Sequence, residues 1–158
     1  MRPSALLALL LLVAACTEIN LKPLARPEAG QLAALRAAAD QAYAEEDWDA
    51  AEGPYRRLTE IEPGEAENWF RLGNVYAHRD RLFDAVALYR EALVHDRGHA
   101  GAWNNLALTQ LRMATHSFVE LRKYTEPEDP VNQRASQMIE GITGLLEVPE
   151  GTDGAASP

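Results

Sequence analysis

The 158-residue chain holds a single cysteine, Cys16. One thiol closes no internal disulfide, so the fold cannot be a disulfide-stapled scaffold. Positive charge is also scarce. Fifteen Lys and Arg stand against 24 Asp and Glu, a formal net charge of −9. A surface of that sign repels nucleic acid and anionic headgroups, and no basic stripe interrupts it. Neutral or basic protein segments suit it better, although an acidic surface serving only solvation explains the charge equally well. Long apolar runs are missing. The longest, Ala5–Ala15, covers about 11 residues, too few to span a bilayer. Also absent are a Gly-rich phosphate loop, a nucleophile elbow and an HExxH pattern. His95 and His99 are four apart, but Gly98 breaks a helix between them and no third ligand follows. His78 and His116 are isolated, and Ser117 and Glu120 beside His116 make no triad signature. No catalytic residue, metal, cofactor or small-molecule substrate is therefore expected.

What the chain does contain is a repeat. Ala51 recurs as Ala85, Tyr55 as Tyr89 and Trp69 as Trp103, each 34 residues on. The fullest unit runs from Ala66 to His99. In its first half Trp69, Leu72, Gly73 and Tyr76 fall at i, i+3, i+4 and i+7, one face of a helix. In its second half Ala85, Tyr89 and Ala92 share a face, and Arg79-Asp80-Arg81 between the halves suits a tight turn. Gly73 lowers helix propensity by about 1 kcal/mol against alanine, so it implies that another backbone comes close.

Trp69, Leu72, Gly73, Tyr76, Ala85, Tyr89 and Ala92 together resemble the tetratricopeptide repeat, a helix-turn-helix unit of 34 residues. The family's closing proline is replaced by Arg97. The unit before it, 32–65, keeps Ala51, Tyr55 and Pro63 but has Ala39 and Ala42 where glycine and an aromatic are usual. The unit after it, 100–125, keeps Trp103, Leu106 and Ala107 and then drifts, with Val119 and Lys123 at the alanine and aromatic positions. It reads either as a hairpin or as one long helix, since no Gly, Pro or Asn marks a turn between Leu111 and Tyr124. Frayed terminal repeats are usual in solenoids. The resemblance implies an all-α, short solenoid of helical hairpins over 31–125.

It also implies a groove lined by the first helices of successive units, holding a protein or peptide segment. Carried over residue by residue, the groove positions are Arg36, Asp40 and Tyr43; Glu67, Phe70, Asn74, Ala77 and His78; and Asn104, Asn105, Leu108 and Arg112. An asparagine amide both donates to and accepts from an extended backbone, although asparagines also simply decorate exposed helix positions. The carboxylate-clamp subtype of the family is not matched. Asp40 stands where it has asparagine and Gly101 where it has lysine, and an aspartate there repels a carboxylate.

At the N-terminus Arg2 and the Ala5–Ala15 run have the size and order of a signal peptide. Leu12-Val13-Ala14-Ala15-Cys16 resembles the bacterial lipoprotein box. That resemblance implies cleavage after residue 15 and lipidation of Cys16, the alternative being an ordinary secretory signal. Loss of residues 1–15 leaves a side-chain balance of −10. Several acyl chains hold a small domain firmly, where one alone binds marginally. Thr17, in place of the aspartate that retains many lipoproteins at the inner membrane, favours the periplasmic face of the outer membrane. Residues 16–30, with Pro23 and Pro27, read as a tether, and 149–158 as a disordered tail. Between them, 126–148 reads as a covering helix, opened by Asp129-Pro130 as N-cap and first position. Its apolar face comprises Val131, Ala135, Met138, Ile139, Ile142, Leu145 and Leu146. The whole is similar to small lipoproteins that assist assembly of pili, including the tight-adherence type, or of secretion channels. Adaptors for cell-wall hydrolases or proteases and a self-assembling envelope element are the competing expectations.

Overall fold

The computed structural model describes residues 28–146. The expected leader, Cys16, most of the tether and the tail lie outside them. The described residues form α1 (Ala29–Ala44), α2 (Trp48–Ile61), α3 (Ala66–His78), α4 (Leu82–His95), α5 (Ala100–Arg122) and α6 (Pro130–Leu146). Each helix packs on its sequence neighbours, and α3 also touches α5. The architecture is an all-α, tetratricopeptide-like solenoid of hairpins covered by a C-terminal helix.

The first two hairpins turn by the same device. Asp47 N–H donates to Ala42 C=O at 2.9 Å and Glu46 N–H to Tyr43 C=O at 3.1 Å. Thirty-four residues later Arg81 N–H donates to Tyr76 C=O at 2.9 Å and Asp80 N–H to Ala77 C=O at 3.2 Å. This is the Schellman pattern, which needs a left-handed residue just past the helix. Glu46 (φ 55°) and Asp80 (φ 58°) supply it without glycine. In the third unit the same position is Ala114, followed by Thr115. Nothing there competes with the helix, so α5 runs on for 23 residues, and the third unit is one long helix paired with α6.

The hairpins close over Ala51, Tyr55, Leu58, Leu72, Val75, Ala85, Tyr89 and Ala92, all buried. Each large aliphatic among them contributes about 1.5–3 kcal/mol on removal from water. At Gly73 a side chain, not a backbone, makes the close approach. A Cβ built there lies 2.6 Å from Cε1 of the Tyr89 ring. The repeat also extends to single hydrogen bonds. Trp69 Nε1 donates to Pro63 C=O at 2.7 Å and Trp103 Nε1 to Arg97 C=O at 3.0 Å. A carbonyl serves as well from arginine as from proline, which explains why the missing closing proline leaves the turn intact.

Asp129 accepts from Val131 N–H at 2.8 Å and so caps α6. The expected apolar face of α6 is wider than its contact with α5. Ala135 is buried and Ile139, Ile142 and Leu146 are half-buried, whereas Val131, Met138 and Leu145 face outward. A polar residue fixes the start of the helix instead. Buried Asn132 donates to Thr125 C=O at 3.1 Å and Thr125 Oγ1 at 3.0 Å. Among the described residues no helix is long and apolar enough to cross a membrane.

Candidate functional site

The first helices of the three units, α1, α3 and α5, carry all the expected groove positions, but the structure sorts these into different roles. Arg36, Asp40, Tyr43 and Glu67 come together around a pocket of about 400 Å³ between α1 and α3, joined by Ala44, Tyr55, Asn68 and Arg71. Arg36 pairs through Nη2 with Glu62 at the end of α2. Arg71 donates through Nε to Glu67 at 2.6 Å, and its guanidinium lies 4.7 Å above the Tyr43 ring. Tyr55 Oη donates to Asp40 Oδ1 at 2.8 Å.

Asn68 lies on the floor of this pocket with 1% of its surface exposed, and its Nδ2 has no hydrogen-bond partner. A buried donor left unpaired costs about 1–3 kcal/mol. Sequence reasoning missed Asn68 and Arg71. Glu67 and Arg71 at i and i+4 read as an ordinary solvated helix pair, and nothing in the pattern shows that the pair closes one wall of a pocket.

Asn74 and Asn105 belong to a ladder that crosses the solenoid. Asn74 Nδ2 donates to Tyr43 Oη at 2.8 Å, while its Oδ1 accepts from Tyr89 Oη at 3.0 Å and from Asn105 Nδ2 at 2.8 Å. Asn104 Nδ2 then donates to Asn105 Oδ1 at 3.0 Å. The Tyr89–Asn74 bond repeats the Tyr55–Asp40 bond 34 residues on, with amide replacing carboxylate. The amide can join three helices because, unlike the carboxylate, it also donates.

The remaining positions have other neighbours. Phe70 packs against the rings of Tyr89 and His99, at 6.1 and 4.6 Å between centroids, and fills the space above Gly101, where a Cβ would meet it at 3.1 Å. Ala77 is buried and Leu108 half-buried. His78 stacks on Trp48 at 4.0 Å, outside the pocket lining. Arg112 reaches Ala77 C=O at 3.2 Å and Asp80 at 3.3 Å, where a cation suits the C-terminus of α3. His99 caps α5: its Nδ1 accepts from Ala102 N–H at 3.1 Å. That acceptor role places the ring proton on Nε2, 3.2 Å from Glu67 Oε2.

Burial, and for Tyr55 also the bond to Asp40, raises the phenol pKa of Tyr55 and Tyr89 well above the ordinary value. A raised folded pKa adds stability that is complete below the ordinary phenol value of about 10 and is lost as pH rises past it. In an alkaline titration, phenolate absorbance from these two tyrosines should therefore appear only together with loss of helical circular dichroism. Ionisation of all five tyrosines with the helical signal intact would contradict their burial.

No family model and no curated protein matches the chain. Among solved structures it is similar to the TPR2B-domain:pHsp70 complex of yeast Sti1, with a TM-score of 0.52 and 15% identity, covering 72% of this chain and 97% of that one. At that identity the likeness shows the fold, a tetratricopeptide-type helical array, and no more.

Proposed function

We propose that this chain is a non-enzymatic, lipid-anchored adaptor of the bacterial envelope that holds a segment of a partner protein against α1, α3 and α5. The observation that carries the reading is the pocket between α1 and α3, open on the side of the array where the first helices meet. It is lined by aromatic and hydrogen-bonding side chains, and no reactive constellation stands in it. The similar TPR2B domain of Sti1 is itself in complex with pHsp70, which supports a protein segment as the class of ligand. The lipobox resemblance at Cys16 supports the anchor, and Thr17 the periplasmic face of the outer membrane. Assembly of a pilus or secretion complex is the role this combination suits best. Service to cell-wall hydrolases or proteases is the second reading.

A photo-crosslinking phenylalanine at Ala44, which lines the pocket and is exposed, should trap a discrete partner in intact cells. The same residue at Phe83, exposed on α4, should not. Equal trapping from Phe83 would reject the groove, and the identity of the adduct separates a pilus or secretion component from a hydrolase. Cys16→Ser should abolish incorporation of labelled palmitate and move the protein out of the membrane fraction. Retained label would reject lipidation at this cysteine.

A further inference from the structure

We propose that the pocket between α1 and α3 takes a primary amide, the side chain of a glutamine or asparagine in the bound segment. The inference rests on the groove reading above and specifies the chemistry of its first subsite.

The argument starts from an imbalance between donors and charge. Each guanidinium offers five N–H groups. Arg36 is bonded to its carboxylate partner Glu62 through one nitrogen, and Arg71 to Glu67 likewise. Both positive charges are thereby neutralised while most of their donors are left over. Asn68 adds a third donor, with no acceptor among the described residues and almost no exposure to water. The pocket is thus rich in donors and calls for an acceptor oxygen.

That oxygen cannot carry a full charge. Asp40 borders the pocket, and its only hydrogen bond among the described residues is the one accepted from Tyr55. With the two arginines already paired, Asp40 leaves the group negative and opposes a carboxylate. A cationic side chain fails for the opposite reason, since it would meet Arg36 and Arg71. A neutral carbonyl satisfies the donors without repulsion. A primary amide does more, because its NH₂ can donate to the remaining lone pairs of Asp40 while its oxygen accepts from the arginine–asparagine side. A volume of about 400 Å³ lies within the usual range for ligand sites and admits such a side chain with its flanking backbone.

The test is a titration of the full, isotope-labelled chain with N-acetylglutamine methylamide, with acetate and with guanidinium, read at the Asn68 side-chain amide by NMR. Saturable shifts are expected with the glutamine probe alone. Asp40→Asn, which removes the negative charge, should weaken the glutamine probe at least threefold and admit acetate. Asn68→Leu should abolish the response to the glutamine probe at the Arg71 Nε–H signal while leaving the helical spectrum unchanged. Acetate saturating the wild-type chain would overturn the proposal in favour of a carboxylate site. Silence of Asn68 toward every probe would overturn it as well. If Ala44 still crosslinks its partner in that case, the groove reading survives and only the amide subsite falls.

Discussion

Gly73→Val is expected to lower the free energy of unfolding by about 3 kcal/mol, at the upper end of what overpacking a core costs. The residue lies in mid-helix, where valine is favoured over glycine by a few tenths of a kcal/mol, so local propensity points the other way. Packing decides the sign. A Cβ alone would come within 2.6 Å of Cε1 and 2.8 Å of Cδ1 of Tyr89. That ring has no free direction in which to retreat. It is 1% exposed, and its hydroxyl is bonded to Asn74. Relief requires α3 and α4 to separate, which loosens the tightest hairpin of the array.

Alanine at the same position should cost less, about 1–2 kcal/mol by the same reasoning. The first unit already pairs Ala39 with Tyr55 at the equivalent positions, both buried, so a methyl can be housed when the hairpin is built around it. For a domain of this size 3 kcal/mol corresponds to a fall in Tm of roughly 6–12 °C. Denaturant unfolding of Gly73→Val and Gly73→Ala checks both size and order. A valine variant as stable as the parent would mean that Tyr89 does not hold the position described.

The contrast between the first two units and the third shows what could be read from sequence. The hairpins were legible because polar turn residues, Glu45-Glu46-Asp47 and Arg79-Asp80-Arg81, interrupt two apolar periodicities at the same phase. The third unit keeps the phase up to Leu106 and Ala107 but has Ala114 where the turn should begin. Sequence alone left hairpin and long helix open, and the missing turn residue is the physical reason for the helix. Side-chain roles were less legible. Asn74 and Asn105 have the residue type that a peptide groove wants, yet both amides are taken up between helices. That choice depends on the distance between α1, α3 and α5, which no local pattern encodes. Asn68 was invisible for the same reason, since its importance lies in the partner it lacks.

The division between pocket and ladder has a consequence for mutagenesis. A variant in the pocket should alter binding with little change in stability, because its charged side chains are partly exposed and such pairs contribute about 0–1 kcal/mol. A variant in the ladder should do the reverse. Adaptors of this architecture tolerate the separation because each unit is stabilised by its neighbours, leaving the open face free to vary.

Asn74→Leu tests the ladder most directly, with an expected loss of about 3 kcal/mol. The substitution keeps the volume and removes three hydrogen bonds at once, to Tyr43, Tyr89 and Asn105. Tyr43 and Asn105 are half-buried and can turn toward water. Tyr89 cannot, and its hydroxyl is stranded at a cost of about 1–3 kcal/mol. Tyr89→Phe alone strands only one of the two lone-pair contacts on Asn74, since Asn105 still donates there, and should cost about 1 kcal/mol. Combined with Asn74→Leu it removes the stranded hydroxyl, so the double variant should be as stable as Asn74→Leu or more so. A coupling of about 1–2 kcal/mol between the two sites follows, in the range found for residues in contact. Strict additivity would show that the Tyr89–Asn74 bond contributes nothing. Crosslinking from Ala44 should persist in Asn74→Leu below its lowered Tm, because the amide points across the helices and not at the partner. Loss of crosslinking with stability unchanged would instead make Asn74 a direct contact of the bound segment.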